Sequence, residues 1–229
     1  MIISGMVKSS LVDYPGMVSC VLFVPGCNYD CFYCHNRSLL DGTHQILPAE
    51  YVEDFLQKRA GLLDAVVITG GEPTLQKGLL PFIKSIKRLG YRIKLDTNGS
   101  SPSVVADLLE NDVCDYFAVD YKAPAARYEE ICGSNSPAGT VLETIRLLLK
   151  SDSCFEVRTT VIPQLQEKDL LHMAQELPAV PRYVLNRYRI PDKHKESDRL
   201  RIMGKPYSQE EINSFVTLMK KYQPNMAGY

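Results

Sequence analysis

The 229-residue chain carries 26 Lys and Arg against 27 Asp and Glu, a formal net charge of −1, and 45% of its residues are hydrophobic. That balance argues against a protein built to grip nucleic acid through phosphate charge, and the apolar fraction argues against disorder. No apolar run approaches the roughly 20 residues that span a bilayer, and Met1-Ile2-Ile3-Ser4-Gly5 lacks the basic start of a secretion signal, so one cytoplasmic domain over residues 1–229, with no membrane partner, is expected.

In chain order, a β-branched and apolar run at 18–24 predicts the first strand. A helical stripe of Tyr51, Val52, Phe55 and Leu56 follows, then a strand at 65–69. Leu79, Phe82, Ile83 and Ile86 mark the next helix, 91–95 the third strand, and Val104, Val105, Leu108 and Leu109 another helix. A strand at 116–119 precedes the stripe Val141, Leu142, Ile145, Leu148 and Leu149. The fifth strand at 155–161 leads to Leu170, Leu171, Ala174 and Leu177, and the sixth lies at 183–188. Residues 191–207, rich in charge and poor in apolar side chains, read as an exposed loop. Ser208 and Glu211 then form a capping-box signal before Ile212, Phe215, Val216 and Met219. This alternation predicts an α/β fold with right-handed crossovers and a parallel sheet under outer helices. A partial (β/α)6 barrel and a doubly wound sheet both fit, and both put functional loops at the C-terminal ends of the strands.

Seven cysteines stand at 20, 27, 31, 34, 114, 132 and 154, and three of them fall in the loop 25–36 that leaves the first strand. Three thiolates in one loop can hold three irons of a cubane cluster and leave the fourth open. Zinc is the rival, with His35 as a fourth ligand, and spacing alone leaves the two open. The four scattered cysteines read as ordinary buried thiols and lack the paired spacing of an auxiliary ferredoxin-like domain.

Cys27-x3-Cys31-x2-Cys34, with Tyr33 before the last cysteine, resembles the signature of the radical S-adenosylmethionine (SAM) superfamily. Gly70-Gly71-Glu72-Pro73, after the second strand, matches that superfamily's GGEP motif. Asp13-Tyr14-Pro15-Gly16, Cys34-His35-Asn36 and Asp96-Thr97-Asn98-Gly99 further resemble activating enzymes of glycyl radical enzymes, most of all the small anaerobic ribonucleotide reductase activating proteins. The resemblance implies a partial (β/α)6 barrel, a [4Fe–4S] cluster on Cys27, Cys31 and Cys34, and SAM bound to the open iron. It implies reductive cleavage of SAM to a 5′-deoxyadenosyl radical that abstracts hydrogen from a glycine of a partner, with flavodoxin or ferredoxin as electron donor.

On the same resemblance, Tyr33, Gly70, Gly71, Glu72, Asp96, Thr97, Asn98, Asp120 and Lys122 surround SAM, and a monovalent cation sits near Asp96 and Asp120. Arg158, inside the fifth strand, needs a carboxylate partner or a polar lumen, because a lone charge in a strand is costly. Arg189 stands about where several activators carry histidine and is kept as the last SAM contact. His44, His172 and His194 read as surface residues. Two other functions compete: a radical SAM enzyme acting on a small molecule, nucleobase or peptide, and a zinc-stabilised binding protein without catalysis.

Overall fold

Each central strand carries one apolar face and one face that turns polar, and this alternation sets the architecture. In the computed structural model, which describes residues 1–228, eight strands form one sheet in sequence order. They are β1 (Gly5–Ser10), β2 (Ser19–Val24), β3 (Ala65–Gly70), β4 (Arg92–Thr97), β5 (Tyr116–Asp120), β6 (Cys154–Val161), β7 (Tyr183–Arg187) and β8 (Met226–Gly228). β1 runs antiparallel to β2, and every later neighbour is parallel. The six expected parallel strands are therefore β2–β7. The sequence reading missed β1, which has only Met6 and Val7 as large apolar residues, and β8, which has three residues.

The helices are α1 (Ala49–Arg59), α2 (Leu79–Lys87), α3 (Pro102–Glu110), α4 (Tyr128–Cys132), α5 (Ala138–Leu149), α6 (Glu167–Glu176), α7 (Arg199–Ile202) and α8 (Gln209–Met219). All six expected stripes are helices. At the start of α8 the Glu211 N–H donates to Ser208 Oγ at 3.2 Å and the Ser208 N–H donates to Glu211 Oε2 at 2.7 Å, the capping box read from sequence. Leu22 and Val24 of β2, Val66 and Ile68 of β3, Ile93 and Leu95 of β4, and Phe117 and Val119 of β5 join the helix stripes in one core.

Their neighbours along each strand point the other way. There the lower part is apolar: Val21, Ala65 and Val67 pack with Tyr14, whose ring lies 5.7 Å from that of Tyr116. Lys94, 3% exposed, donates to the Asp13 carbonyl at 2.6 Å. The Asp13-Tyr14-Pro15-Gly16 segment thus plugs the floor of the lumen. Above the plug the inner face carries Lys94 and Asp96 of β4, Asp120 of β5 and Glu156 and Arg158 of β6.

Residues 191–207 are more ordered than a loop. They contain a 3-10 turn at Glu196–Asp198 and α7, which buries Ile202 and accepts a hydrogen bond from Tyr188 Oη on the Ile202 carbonyl at 3.0 Å. Among the described residues no helix is long and apolar enough to cross a membrane.

Candidate functional site

The loop 25–36 leaves the C-terminal end of β2 and is tied down from three sides. Gly26 N–H donates to the Leu39 carbonyl at 2.9 Å, Asp30 N–H to the Cys132 carbonyl of α4 at 2.9 Å, and the Asn36 side chain to the Gly70 carbonyl at 2.9 Å. The Asp30 carboxylate is gripped by Arg37 at 2.5 Å and by Lys195. Tyr29 packs edge-on against Tyr128 of α4, Tyr33 against Tyr188, and the Arg201 guanidinium lies 3.9 Å from the centre of the Phe32 ring. The expected exposed segment thus clasps the cysteine loop from outside.

Cys27, Cys31 and Cys34 line one cavity of about 250 Å³ with Tyr29, Tyr33, Thr69, Gly70, Gly71, Asp96, Thr97, Asn98, Asp120, Lys122, Arg158 and Thr160. Cys27 Sγ accepts from the Tyr29 N–H at 3.4 Å and from Asn98 Nδ2 at 3.8 Å, contacts that favour a thiolate. Burial nevertheless pushes the free Cys27 thiol up to about 12, with the Tyr29 hydrogen bond opposing it. Cys31 is raised first by its hydrogen bond with Cys132 and then by burial, and Cys34 chiefly by burial. Metal binding would displace these protons. Among the described residues no three His, Cys, Asp or Glu side chains are grouped to hold a single metal ion. Three thiolates lining one cavity are the donor set that a cubane cluster takes, one to each of three irons. The buried Tyr29 hydroxyl has no protein partner among the described residues, a polar atom left for a ligand or water.

Gly70 and Gly71 lie where expected, but the close approach they permit is to the chain itself. Gly70 has φ +121°, and a Cβ at Gly71 would lie 1.9 Å from the Gly26 carbonyl oxygen. Gly71 N–H donates to the Val24 carbonyl at 2.8 Å and Glu72 N–H to the Gly26 carbonyl at 2.7 Å, which stitches β3 to the root of the cysteine loop. Glu72 does not line the cavity. It is fully buried away from the cavity, where its carboxylate accepts from Thr74 N at 3.0 Å, Thr74 Oγ1 at 2.6 Å, Thr97 Oγ1 at 2.7 Å and Asn98 N at 2.6 Å. Burial raises its pKa, and these four donors oppose the rise. Glu72 therefore shapes the cavity wall by joining the ends of β3 and β4.

Arg189 is exposed and lines a separate depression with Arg187, Ile190 and Pro206, outside the cavity. Its backbone accepts a hydrogen bond from His35, whose pKa burial lowers against that bond.

The lumen charges form a column of alternating sign. Arg182 pairs with Glu156 at 3.1 Å, Glu156 with Lys94 at 3.8 Å, and Lys94 with Asp96 at 3.1 Å. Arg158 then bridges Asp96 and Asp120, at 3.1 Å to each, and Lys122 pairs with Asp120 at 2.9 Å. Burial raises the Asp120 carboxyl, but Lys122 and Arg158 outweigh it and bring it to about 2. Arg158 and Lys122 take both oxygens of Asp120, and Arg158 takes Asp96 Oδ2; Asp96 Oδ1 pairs with Lys94 by charge at 3.1 Å but accepts no hydrogen bond among the described residues.

Lys94, Glu156, Thr69 and Thr160 were missed by sequence reasoning, although each sits on the inward parity of a strand. Cys132 was read as an ordinary buried thiol, and nothing in the spacing places it against Cys31. Cys20 and Cys114 are buried as expected; Cys154, at the start of β6, is exposed. His172 is exposed, whereas His44 and His194 are half-buried.

The family model described as the radical SAM superfamily matches residues 21–177. A Methanocaldococcus jannaschii protein named as a glycyl-radical enzyme activating enzyme is 32% identical over 234 residues, covering 98% of this chain and 94% of its own length. A Pyrococcus horikoshii protein named as a GTP 3′,8-cyclase is 33% identical over 111 residues, 48% of this chain and 36% of that one. Among solved structures, Streptococcus suis SuiB bound to its precursor peptide SuiA superposes with a TM-score of 0.69 at 14% identity, over 91% of this chain and 48% of that one. A domain of pyruvate-formate lyase-activating enzyme from Bacteroides vulgatus gives 0.55 at 18%, over 72% and 99%. These two are likenesses of fold. With the family match taking in the cysteine loop and a relative aligned along nearly its whole length, the chain belongs to the radical SAM superfamily.

Proposed function

We propose that the chain is an activase that installs a glycyl radical on a separate enzyme, with anaerobic ribonucleotide reductase as the partner. The observation that carries this reading is the M. jannaschii relative, similar over 98% of this chain and so named over 94% of its own length. Membership of the superfamily implies a [4Fe–4S] cluster and SAM as cofactors. With both bound and one electron supplied, they provide reductive cleavage of the sulfonium and a 5′-deoxyadenosyl radical able to take hydrogen from a glycine Cα.

The chain's own residues have three tasks in this scheme. Cys27, Cys31 and Cys34 hold the cluster, and Tyr29 N–H and Asn98 hold the Cys27 sulfur in place. Thr97, Asn98, Asp96, Asp120, Lys122 and Arg158 form the polar wall against which SAM lies, and Tyr33 and Gly70–Gly71 border it. Among the described residues β1 and β8 are not paired with each other, and an opening there suits entry of a glycine-bearing loop. Flavodoxin or ferredoxin is the proposed electron donor.

The test is anaerobic mixing of cluster-loaded protein, SAM, reductant and partner. Electron paramagnetic resonance is expected to show a glycyl doublet, and deuterium from glycine-labelled partner is expected in 5′-deoxyadenosine. The partial likeness to a GTP 3′,8-cyclase favours a second reading, a small-molecule substrate. Deuterium arriving only from a small molecule, with no protein radical, would put that reading first.

A further inference from the structure

Asp96 and Asp120 lie on neighbouring strands at the end of the lumen nearest the three cysteines, the kind of paired carboxylate site that attracts a small cation. The space between them is filled by Arg158, whose Nη1 reaches Asp96 Oδ2 and whose Nε reaches Asp120 Oδ1, both at 3.1 Å. Of the outer oxygens, Asp120 Oδ2 accepts from Lys122 at 2.9 Å, whereas Asp96 Oδ1 lies 3.1 Å from the Lys94 ammonium as an ion pair and accepts no hydrogen bond among the described residues. A cation entering here would have to displace a guanidinium anchored in the middle of β6 and flanked by two lysines.

We propose that the Arg158 guanidinium stands in for a diffusible cation, so that this protein binds SAM without requiring Na⁺ or K⁺. The inference rests on the reading of this cavity as the SAM site. A guanidinium stays protonated at every working pH and its planar fork bridges two carboxylates. Being part of the chain, it needs no ligand concentration to stay in place, and its position is set before SAM arrives. Burial works against the charge on Arg158, but Asp96 and Asp120 outweigh it and raise the pKa, as expected for a cation held between two carboxylates.

The column around it alternates in sign from Glu156 through Lys94, Asp96, Arg158 and Asp120 to Lys122. It therefore ends on a cation, and the Lys122 end opens on the cavity. A ligand bearing a carboxylate, as SAM does, continues the alternation at that end. Arg158 is thus a positioning residue that fixes Asp96 and Asp120 in register with the ligand.

The experiment measures SAM affinity of anaerobically cluster-loaded protein by calorimetry in KCl, NaCl and choline chloride at equal ionic strength. The wild-type affinity is expected to agree within about twofold among the three salts. Arg158→Met, checked for fold by circular dichroism and for iron content, is expected to bind SAM roughly tenfold or more weakly in choline chloride. Wild-type binding that appears only in KCl or NaCl overturns the inference, as does Arg158→Met with wild-type affinity in choline chloride. If the variant does not fold, the wild-type salt series decides alone. Loaded protein that binds no SAM in any salt instead overturns the SAM site itself, and the inference with it.

Discussion

Glu72 accepts four hydrogen bonds at the junction of two strand ends, and a glutamine in its place would not keep them all. Glu72→Gln places an amide N–H₂ against a backbone or hydroxyl donor. A buried donor left unsatisfied costs about 1–3 kcal/mol, and a domain of this size loses about 2–4 °C of melting temperature per kcal/mol. A measurable drop in melting temperature is therefore expected even in protein without cluster or SAM. An unchanged melting temperature would make Glu72 a ligand contact rather than a strand tie. Ala at any one of Cys27, Cys31 or Cys34 is expected to abolish cluster-dependent absorbance and SAM cleavage, whereas Cys154→Ala, at an exposed position, is expected to leave the spectrum unchanged. At this scale the sequence was informative where chemistry and position coincide. The three cysteines, Asp96, Thr97, Asn98, Asp120, Lys122 and Arg158 all lie on, or just beyond the ends of, strands that alternation located. Glu72 turns away from the cavity, since its motif says where the backbone goes and not which way a carboxylate turns. Arg189 lies outside the cavity, since past a strand end parity no longer fixes direction.

Element boundaries turn on single side chains. Gln223 is 1% exposed; its Nε2 donates to the carbonyls of Ala174 at 3.0 Å and of Leu177 and Pro178 at 3.1 Å, and its Oε1 accepts from Val180 N. It ties the end of α6 to the approach of β8, where the Asn225 carbonyl accepts from Tyr183 N–H at 3.1 Å. Gln223→Leu is expected to destabilise the chain by about 1–3 kcal/mol in urea while leaving cluster spectra intact. Loss of the cluster in that variant would show β8 to be coupled to the site. Gly71→Ala acts in the opposite sense, because its Cβ meets a backbone oxygen on the root of the cysteine loop at 1.9 Å. That substitution is expected to lose cluster binding first, seen as reduced iron content at unchanged helical signal. The strands with continuous apolar runs and the six amphipathic helices were legible from periodicity. β1, β8, α4 and α7 were not: the two strands are held by long-range pairing, and helices of five and four residues are too short a signal for any periodicity.

Across the molecule, the outer face of the sheet is covered by helices and the inner face is closed below by Tyr14 and Tyr116 and filled above by the charge column. The column lies in partly buried surroundings, where a broken pair leaves an uncompensated charge. Lys94→Met removes the cation between Asp96 and Glu156, so it is expected to destabilise the chain by about 3–5 kcal/mol and to weaken SAM binding through a displaced Asp96. Unfolding in urea and calorimetry measure the two effects separately, and a variant as stable as wild type would mean that the floor does not support the site. A sheet that stays open also presents two edges, and unpaired edges invite other chains to add strands. β1 answers this with exposed Lys8 and an irregular register between Val7 and Ser10. The opening is thereby kept without offering a long, flat template for edge-to-edge aggregation, so clearing Lys8 from β1 is a change that would threaten solubility before it threatened the fold.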